Sequence, residues 1–534
     1  MMNKSKWPES VIFWGAGATS DLGFPPTGKQ GEMLISLSEI SCAKDYYEKL
    51  KDYEFFTGTY LEEMADLLFI LDDDAQNEGK EYRRMVTTVT DSQLEKAKEL
   101  FDLEDEQQLR NLIVNLRYNY DFSALKQMLK LCTKDKWSIV MSVFNLIDYH
   151  MGNNEGFFVK SENAVFIEKH RLMGARNALI MLIVSTMTGA YLNALDSKRD
   201  SIQKYKEFAK DLATYMRHEG NERIVSPQNS REFYLFSYAI ISLNWDHFLN
   251  WMIFHAHKEF NDDENNDSFA GRHRKLKFFN DFSILMGLRE LNRDNGDDEL
   301  STKIWYPYNE SVVQRINDPD YDYAKIVRIG KYYYPHGCVA WRCCPNCGSM
   351  TGTFGDLWSE ESKSLFPPSL IPSSRKISSR SKLEEEWVKQ GWYDAIECSY
   401  CGAKTELKDT PLIMQTAVKS NIPPVLRMIQ SEINACLENT KHIIFMGFSL
   451  PSDDLVWRSI LLARKGDVKV SVVLGTGGPN RWQTGSSASE IIGGKEEENK
   501  RFFDLFGPTG LRFNTHGIPN VFDGISIADL LVYD

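Results

Sequence analysis

Three short stretches carry side chains whose types and spacing could do chemistry. SLNWD, 242–246, sets an amide, Asn244, two residues before a carboxylate, Asp246, at the end of an apolar run. An amide can hold a water or a sugar hydroxyl, and a carboxylate can meet a developing cation or accept hydrogen bonds; the same pattern also serves as a capping turn. YYYPHGC, 332–338, places His336 in a Pro-His-Gly turn. A histidine titrating near neutrality can act as a general base or simply hold the turn. VIFWGAGATSDLG, 11–23, ends an apolar run in Gly15-Ala16-Gly17, with Ser20 where a GxGxxG pattern would carry its third glycine. Small residues there let backbone amides approach a phosphate at the start of the next helix, and equally permit a tight strand–helix turn with no ligand.

A second constellation is metallic in character. Cys344-Pro-Asn-Cys347-Gly and Cys398-Ser-Tyr-Cys401-Gly are two CxxC-G knuckles, and most of the nine cysteines lie between 338 and 401. In an intracellular chain that clustering points to metal rather than disulfides, and four thiolates in two such pairs give a closed tetrahedral zinc site of structural type. The alternative is a zinc ribbon that has lost its metal and keeps four reduced cysteines. A closed thiolate shell has no vacancy for His336, which therefore belongs to different chemistry. Cys343 is the neighbour able to substitute as a ligand, whereas Cys338 need not touch metal. Cys42, Cys132 and Cys436 sit in apolar or helix-like surroundings and read as small buried hydrophobes.

The elements that must position these residues are legible as apolar runs. VIFW (11–14), YAIISL (238–243), HIIFM (442–446) and VKVSVVL (468–474) read as buried strands, separated by helical segments. That pattern predicts an α/β fold with a Rossmann-like, mostly parallel sheet, whose ligands gather at the carboxyl ends of the strands. Between the first two strands, QLEKAKELFDL, ALKQMLKL and SVFNLIDY have helical spacing and few strand signals. The expected organisation is an α/β domain in three parts, 1–39, 226–340 and 405–534. A helical insertion, 40–225, and a zinc-binding module, 341–404, interrupt it.

Composition narrows the classes. Charged residues make up 26%, and the net charge of −13 with a pI near 5.4 argues against a large nucleic-acid footprint. The serine-rich basic stretch 373–382 and the acidic runs 261–267 and 495–499 read as solvated loops or exposed helix faces. The beginning of the chain has no secretory pattern. The most apolar window, 178–192, is too short and too interrupted by Ser and Thr to cross a bilayer, so a buried helix, no membrane association and a cytoplasmic location are expected.

Four stretches, in order, resemble the sirtuin family. GAGATSDLGFPPTG is similar to the GAGxSxxxGIPxFR signature that opens the sirtuin fold. SLNWD resembles the TQNxD segment, YPHGCVAWRCCPNC resembles LHGxxxxxxCxxC, and MGFSLPSDD, 446–454, resembles the GTSL segment. The resemblance covers about half of the chain and leaves out the helical block. It implies that NAD is bound as substrate. His336 would match the catalytic histidine, and Asn244 and Asp246 would line the nicotinamide end. Gly15, Ala16, Gly17 and Thr19 would cradle the pyrophosphate, with Gly447 and Ser449 near the adenosine ribose and phosphate.

Departures from the family narrow the expected reaction. LIMQTAVKSNIPPVLRM, 412–428, stands where a deacylase carries the FGExLP-like stretch that builds its acyl-peptide groove. Leu243 replaces the glutamine of TQN, and Thr27-Gly28 replaces Phe-Arg. The variants SLNWD, HGCVAW and GFSLPSDD look like the divergent bacterial sirtuin-like domains of anti-phage defence. That branch implies hydrolysis of NAD to nicotinamide and ADP-ribose, with His336 as general base or ribose activator and Asn244 positioning water or ribose. The alternatives are an NAD-dependent protein deacylase and a non-catalytic nucleotide-sensing or scaffold subunit. A toxic activity needs restraint, so a regulatory protein partner, a nucleotide activator or a homo- or hetero-oligomeric switch is expected, with the helical insertion as the place of contact.

Overall fold

The computed structural model describes residues 7–24, 66–71, 86–101, 103–129, 139–159, 165–222, 235–262, 275–281, 286–289, 304–305, 325–339, 341–344, 346–348, 350–353, 396–397, 401, 404–405, 411–413, 422–451, 454–464, 466–475 and 477–533. Ser10–Trp14 (β1) is buried along its whole length, as a run of Val, Ile, Phe and Trp without polar alternation requires. Six further strands join it: Leu235–Ser242 (β2), Lys275–Asp281 (β3), Lys325–Tyr333 (β4), His442–Met446 (β5), Lys469–Val473 (β6) and Leu511–Asn514 (β7). They form one sheet in the order β7–β6–β5–β1–β2–β4–β3, with every neighbouring pair parallel. Burying side chains such as Ile12, Phe13 and Phe445 stabilises this sheet by roughly 1.5–3 kcal/mol each. From β1 the chain reaches β2 on one side and later β5 on the other, so the sheet changes direction at β1. In such sheets the crevice beyond the strand ends at the switch is the natural ligand site.

Helices cover the sheet. Asp91–Phe101 (α1), Glu106–Asn119 (α2), Phe122–Leu129 (α3), Ile139–Gly152 (α4), Lys169–Ser197 (α5) and Arg199–Glu222 (α6) precede β2. Phe248–Asp262 (α7), Pro424–Asn439 (α8), Leu455–Ala463 (α9), Glu496–Phe506 (α10) and Ile527–Leu531 (α11) follow it. The helical block also holds an antiparallel hairpin, Phe157–Val159 with Val165–Ile167, that the sequence does not announce. Helix α6 packs directly on the sheet. Tyr205 and Phe208 pack on Trp14 at 6.3 and 6.1 Å between ring centroids, and the Tyr205 hydroxyl donates to the Ala18 carbonyl at 2.6 Å. Helix α6, inside the expected 40–225 block, therefore packs on β1 of the sheet.

Helix α5 is long and apolar enough to cross a membrane, yet 81% of its most apolar window is buried inside the protein. Two arginines on it are buried with carboxylates: Arg171 with Asp121 at 2.8 Å and Arg176 with Asp148 at 2.7 Å. The cysteine module also departs from its expected limits. Trp341–Cys343 pairs antiparallel with Met350–Thr353, which pairs parallel with Met286–Arg289, itself antiparallel to Ile304–Trp305. This small sheet takes two strands from before residue 341.

Candidate active site

The four motifs separated by up to about 430 residues in sequence follow the carboxyl ends of four adjacent strands, β5, β1, β2 and β4. Their backbones are stitched directly: the Gly15 amide donates to Met446 O, the Gly17 amide to Gly447 O and the Leu243 amide to Trp14 O, each at 2.9 Å. Glycine is required where the loops touch. Gly447 has φ +63, and a Cβ there would stand 2.0 Å from the Ala18 nitrogen; one on Gly15 would stand 2.6 Å from the Gly447 oxygen.

This clasp engages part of the glycine turn. Two of its amides, those of Gly15 and Gly17, already serve the neighbouring loop. Directly after β1 come two short 3₁₀ turns, Ala16–Ala18 and Ser20–Leu22. Ala16 and Gly17 are exposed, while Thr19 is buried with its hydroxyl 3.3 Å from the Asn244 amide nitrogen. Thr19 thus orients Asn244. The Gly447 amide donates to Val473 O, and the Ser449 carbonyl accepts from Arg501 at 3.3 Å, tying that loop to β6 and α10.

Asn244 is buried, with Nδ2 donating to Gly15 O at 3.2 Å and to Thr19 Oγ1. Asp246, 5% exposed, accepts from the Phe248 amide at 3.1 Å and so also caps α7. Burial pushes its carboxyl up to about 6, against the downward pull of the hydrogen bonds from Phe248 and Asn244. Tyr205, Tyr332 and Tyr334 feel its charge; their phenols are held well above the usual range, by burial first.

His336 is 1% exposed, with Nδ1 3.4 Å from the Leu243 carbonyl. A carbonyl only accepts, so in this contact Nδ1 is the donor. Gly337, at φ +80, lies so close to Pro411 that a Cβ would be 1.7 Å from its oxygen. The buried segment 411–413 then fastens both sides of the site. The Ile413 amide donates to His336 O at 3.0 Å, and its carbonyl accepts from Trp245 Nε1 at 3.3 Å. Leu412 O accepts from Arg176 at 2.8 Å, whose guanidinium lies 4.9 Å from the Phe144 ring centroid. Nothing in the sequence marks Arg176 as a site residue, because its partners lie 28 and 236 positions away.

The sulfurs of Cys344, Cys347 and Cys401 lie within 4.8 Å of one another, with Cys344 and Cys401 at 3.8 Å. Thiolates about 2.3 Å from a tetrahedral zinc stand about 3.8 Å apart, so three thiols can hold a metal ion here. The Gly348 amide closes the first knuckle on Cys344 O at 2.8 Å. Cys398, the expected fourth ligand, lies outside the described residues. Cys343 turns to the Met350 sulfur at 3.0 Å, and neither it, Cys338 nor His336 belongs to this group. Compared with protein-family models and with curated proteins, the chain matches none.

Proposed function

We propose that this chain is a sirtuin-like NAD glycohydrolase, which cleaves the nicotinamide–ribose bond of NAD with water to give nicotinamide, ADP-ribose and a proton. The observation that carries the reading is the meeting of Asn244, Asp246 and His336 with the Gly15–Gly17 turn and the Gly447 loop, at the switch point of a parallel sheet. Each of these stretches resembles a sirtuin motif, and their order across the sheet suits one extended dinucleotide.

In this reading the glycine turn and the Gly447–Ser449 loop receive the pyrophosphate and adenosine ribose, with Ala16 and Gly17 the exposed members of the turn. Asn244, held by Gly15 and Thr19 through Nδ2, keeps Oδ1 to orient a water or a ribose hydroxyl. His336 accepts the proton at Nε2. Asp246 meets the positive charge that develops as the C1′–N bond breaks and nicotinamide leaves neutral. Cys344, Cys347 and Cys401, with Cys398 as the expected fourth ligand, would hold a zinc of structural type that braces the strand following His336.

Water rather than an acyl-lysine peptide is favoured as acceptor by the segment 411–413. Its backbone groups are engaged by Arg176, His336 and Trp245, at the place where a deacylase builds its peptide groove. Arg176 belongs to the helical block, so that block is suited to receive the regulatory partner or nucleotide that restrains an NAD-depleting effector of anti-phage defence. The test is incubation with NAD alone and with NAD plus acyl-lysine peptide. Peptide-independent release of nicotinamide supports the hydrolase, and release that requires peptide replaces it with a deacylase.

A further inference from the structure

One buried donor beside the site has no place in the mechanism so far. Trp457, on α9, is 2% exposed; its indole N–H meets no acceptor among the described residues. Its backbone is well anchored: the Asp454 carboxylate caps the helix on the Trp457 amide at 3.5 Å. Its ring is equally fixed, edge-on to Phe13 at 5.5 Å between centroids and T-shaped to His336 at 6.3 Å, with an interplanar angle of 74°. A buried N–H without a partner is disfavoured, and buried polar groups of native proteins are nearly all paired. This donor is packed in a fixed ring orientation against a site histidine, and no group among the described residues takes its hydrogen bond.

We infer that Trp457 is a substrate-binding residue whose indole N–H donates to an oxygen acceptor on the nicotinamide–ribose end of NAD, next to His336. The inference rests on the proposed NAD site. It assigns α9 a role beyond its loop: the GFSL stretch leads into a helix that carries a hydrogen-bond donor to the reacting end of the nucleotide. Phe13, perpendicular to the ring at 5.5 Å between centroids, holds the indole plane.

The test removes the N–H while keeping the ring, with carba-NAD, whose glycosidic bond does not hydrolyse, as probe. Two variants are compared with the unmodified protein: Trp457→Phe, and replacement of Trp457 by 3-benzothienylalanine, which matches the indole in shape with sulfur in place of N–H. Loss of one neutral hydrogen bond weakens carba-NAD binding about 3–10-fold in the benzothienyl protein, while the melting temperature of the ligand-free protein stays level or rises. Unchanged carba-NAD affinity in that protein overturns the inference, as does a lower ligand-free melting temperature, which would reveal a partner inside the fold. Absence of carba-NAD binding by the unmodified protein is a different outcome, and removes the NAD site itself. Trp457→Phe weakens binding at least as much, since it also leaves a void beside His336.

Discussion

Asp246→Asn should make this protein more stable while disabling the site, and the size of the gain can be worked from the environment of the carboxyl. Burial raises Asp246 from an ordinary value of 3.8 to about 6, because the charged form is poorly solvated in the folded chain. The folded state therefore holds a proton that the unfolded state releases earlier. The stabilisation from that proton is complete below pH 3.8 and is lost as pH rises through 6. Above pH 6 the folded protein carries a buried charge, at a cost of about 3 kcal/mol (2.2 pH units at about 1.4 kcal/mol each). Asparagine does not titrate, and its Oδ1 can still accept from the Phe248 amide, so the cap on α7 survives. In urea unfolding, Asp246→Asn should exceed the parent by up to about 3 kcal/mol at pH 8, with the advantage shrinking towards zero near pH 4. The same variant should lose nicotinamide release. A variant that is less stable than the parent by the same amount at both pH values would refute the reasoning, since Asp246 would then be a structural cap whose charge the fold prefers.

Three further outcomes follow from particular contacts. Burial first, and then Arg512, lowers His442 to about 4 against its hydrogen bond to the Leu531 carbonyl, so the neutral ring is favoured; its contribution is full above pH 6.5 and is lost as pH falls towards 4. The stability difference between parent and His442→Gln should accordingly narrow by about 2 kcal/mol between pH 7 and pH 5 in urea titrations, and a constant difference would contradict it. Gly337→Ala should lower stability by about 3 kcal/mol or more in thermal unfolding, because it combines a left-handed φ with a clash on the Pro411 carbonyl. Cys401→Ser, or a strong chelator, should lower both bound zinc, read by atomic emission, and the melting temperature, whereas His336→Ala should leave zinc content unchanged.

What the sequence made legible follows from the physics of each element. The runs VIFW and HIIFM of β1 and β5 read as buried strands, and their ends fall within a residue of the observed ones. β4 and β7 were obscured by charges that the fold buries with distant partners. Lys331 is paired with Glu432 on α8, and Arg512 reaches Ser471 and the carbonyls of Asp529 and Val532 while lying 4.2 Å from the Trp482 ring centroid. Such compensation is invisible to hydropathy, because each charge is satisfied from another element. The site divides in the same way. Asn244, Asp246 and His336 stand out as residue types at turns after strands. Thr19 as the holder of Asn244, Arg176 as the anchor of segment 411–413, and Trp457 beside His336 depend on tertiary neighbours that no local pattern records. The glycines of the first turn read equally as room for a phosphate or as a tight turn, and the structure packs Gly15 and Gly17 closely against Gly447.

The most direct test of the central claim is nicotinamide and ADP-ribose formation from NAD, in the absence of any peptide, by the full chain and by His336→Ala and Asn244→Ala. The account requires equal amounts of the two products from the parent, and loss of both in each variant with folding and zinc content retained. Formation of both products at the parental rate by correctly folded His336→Ala would contradict it.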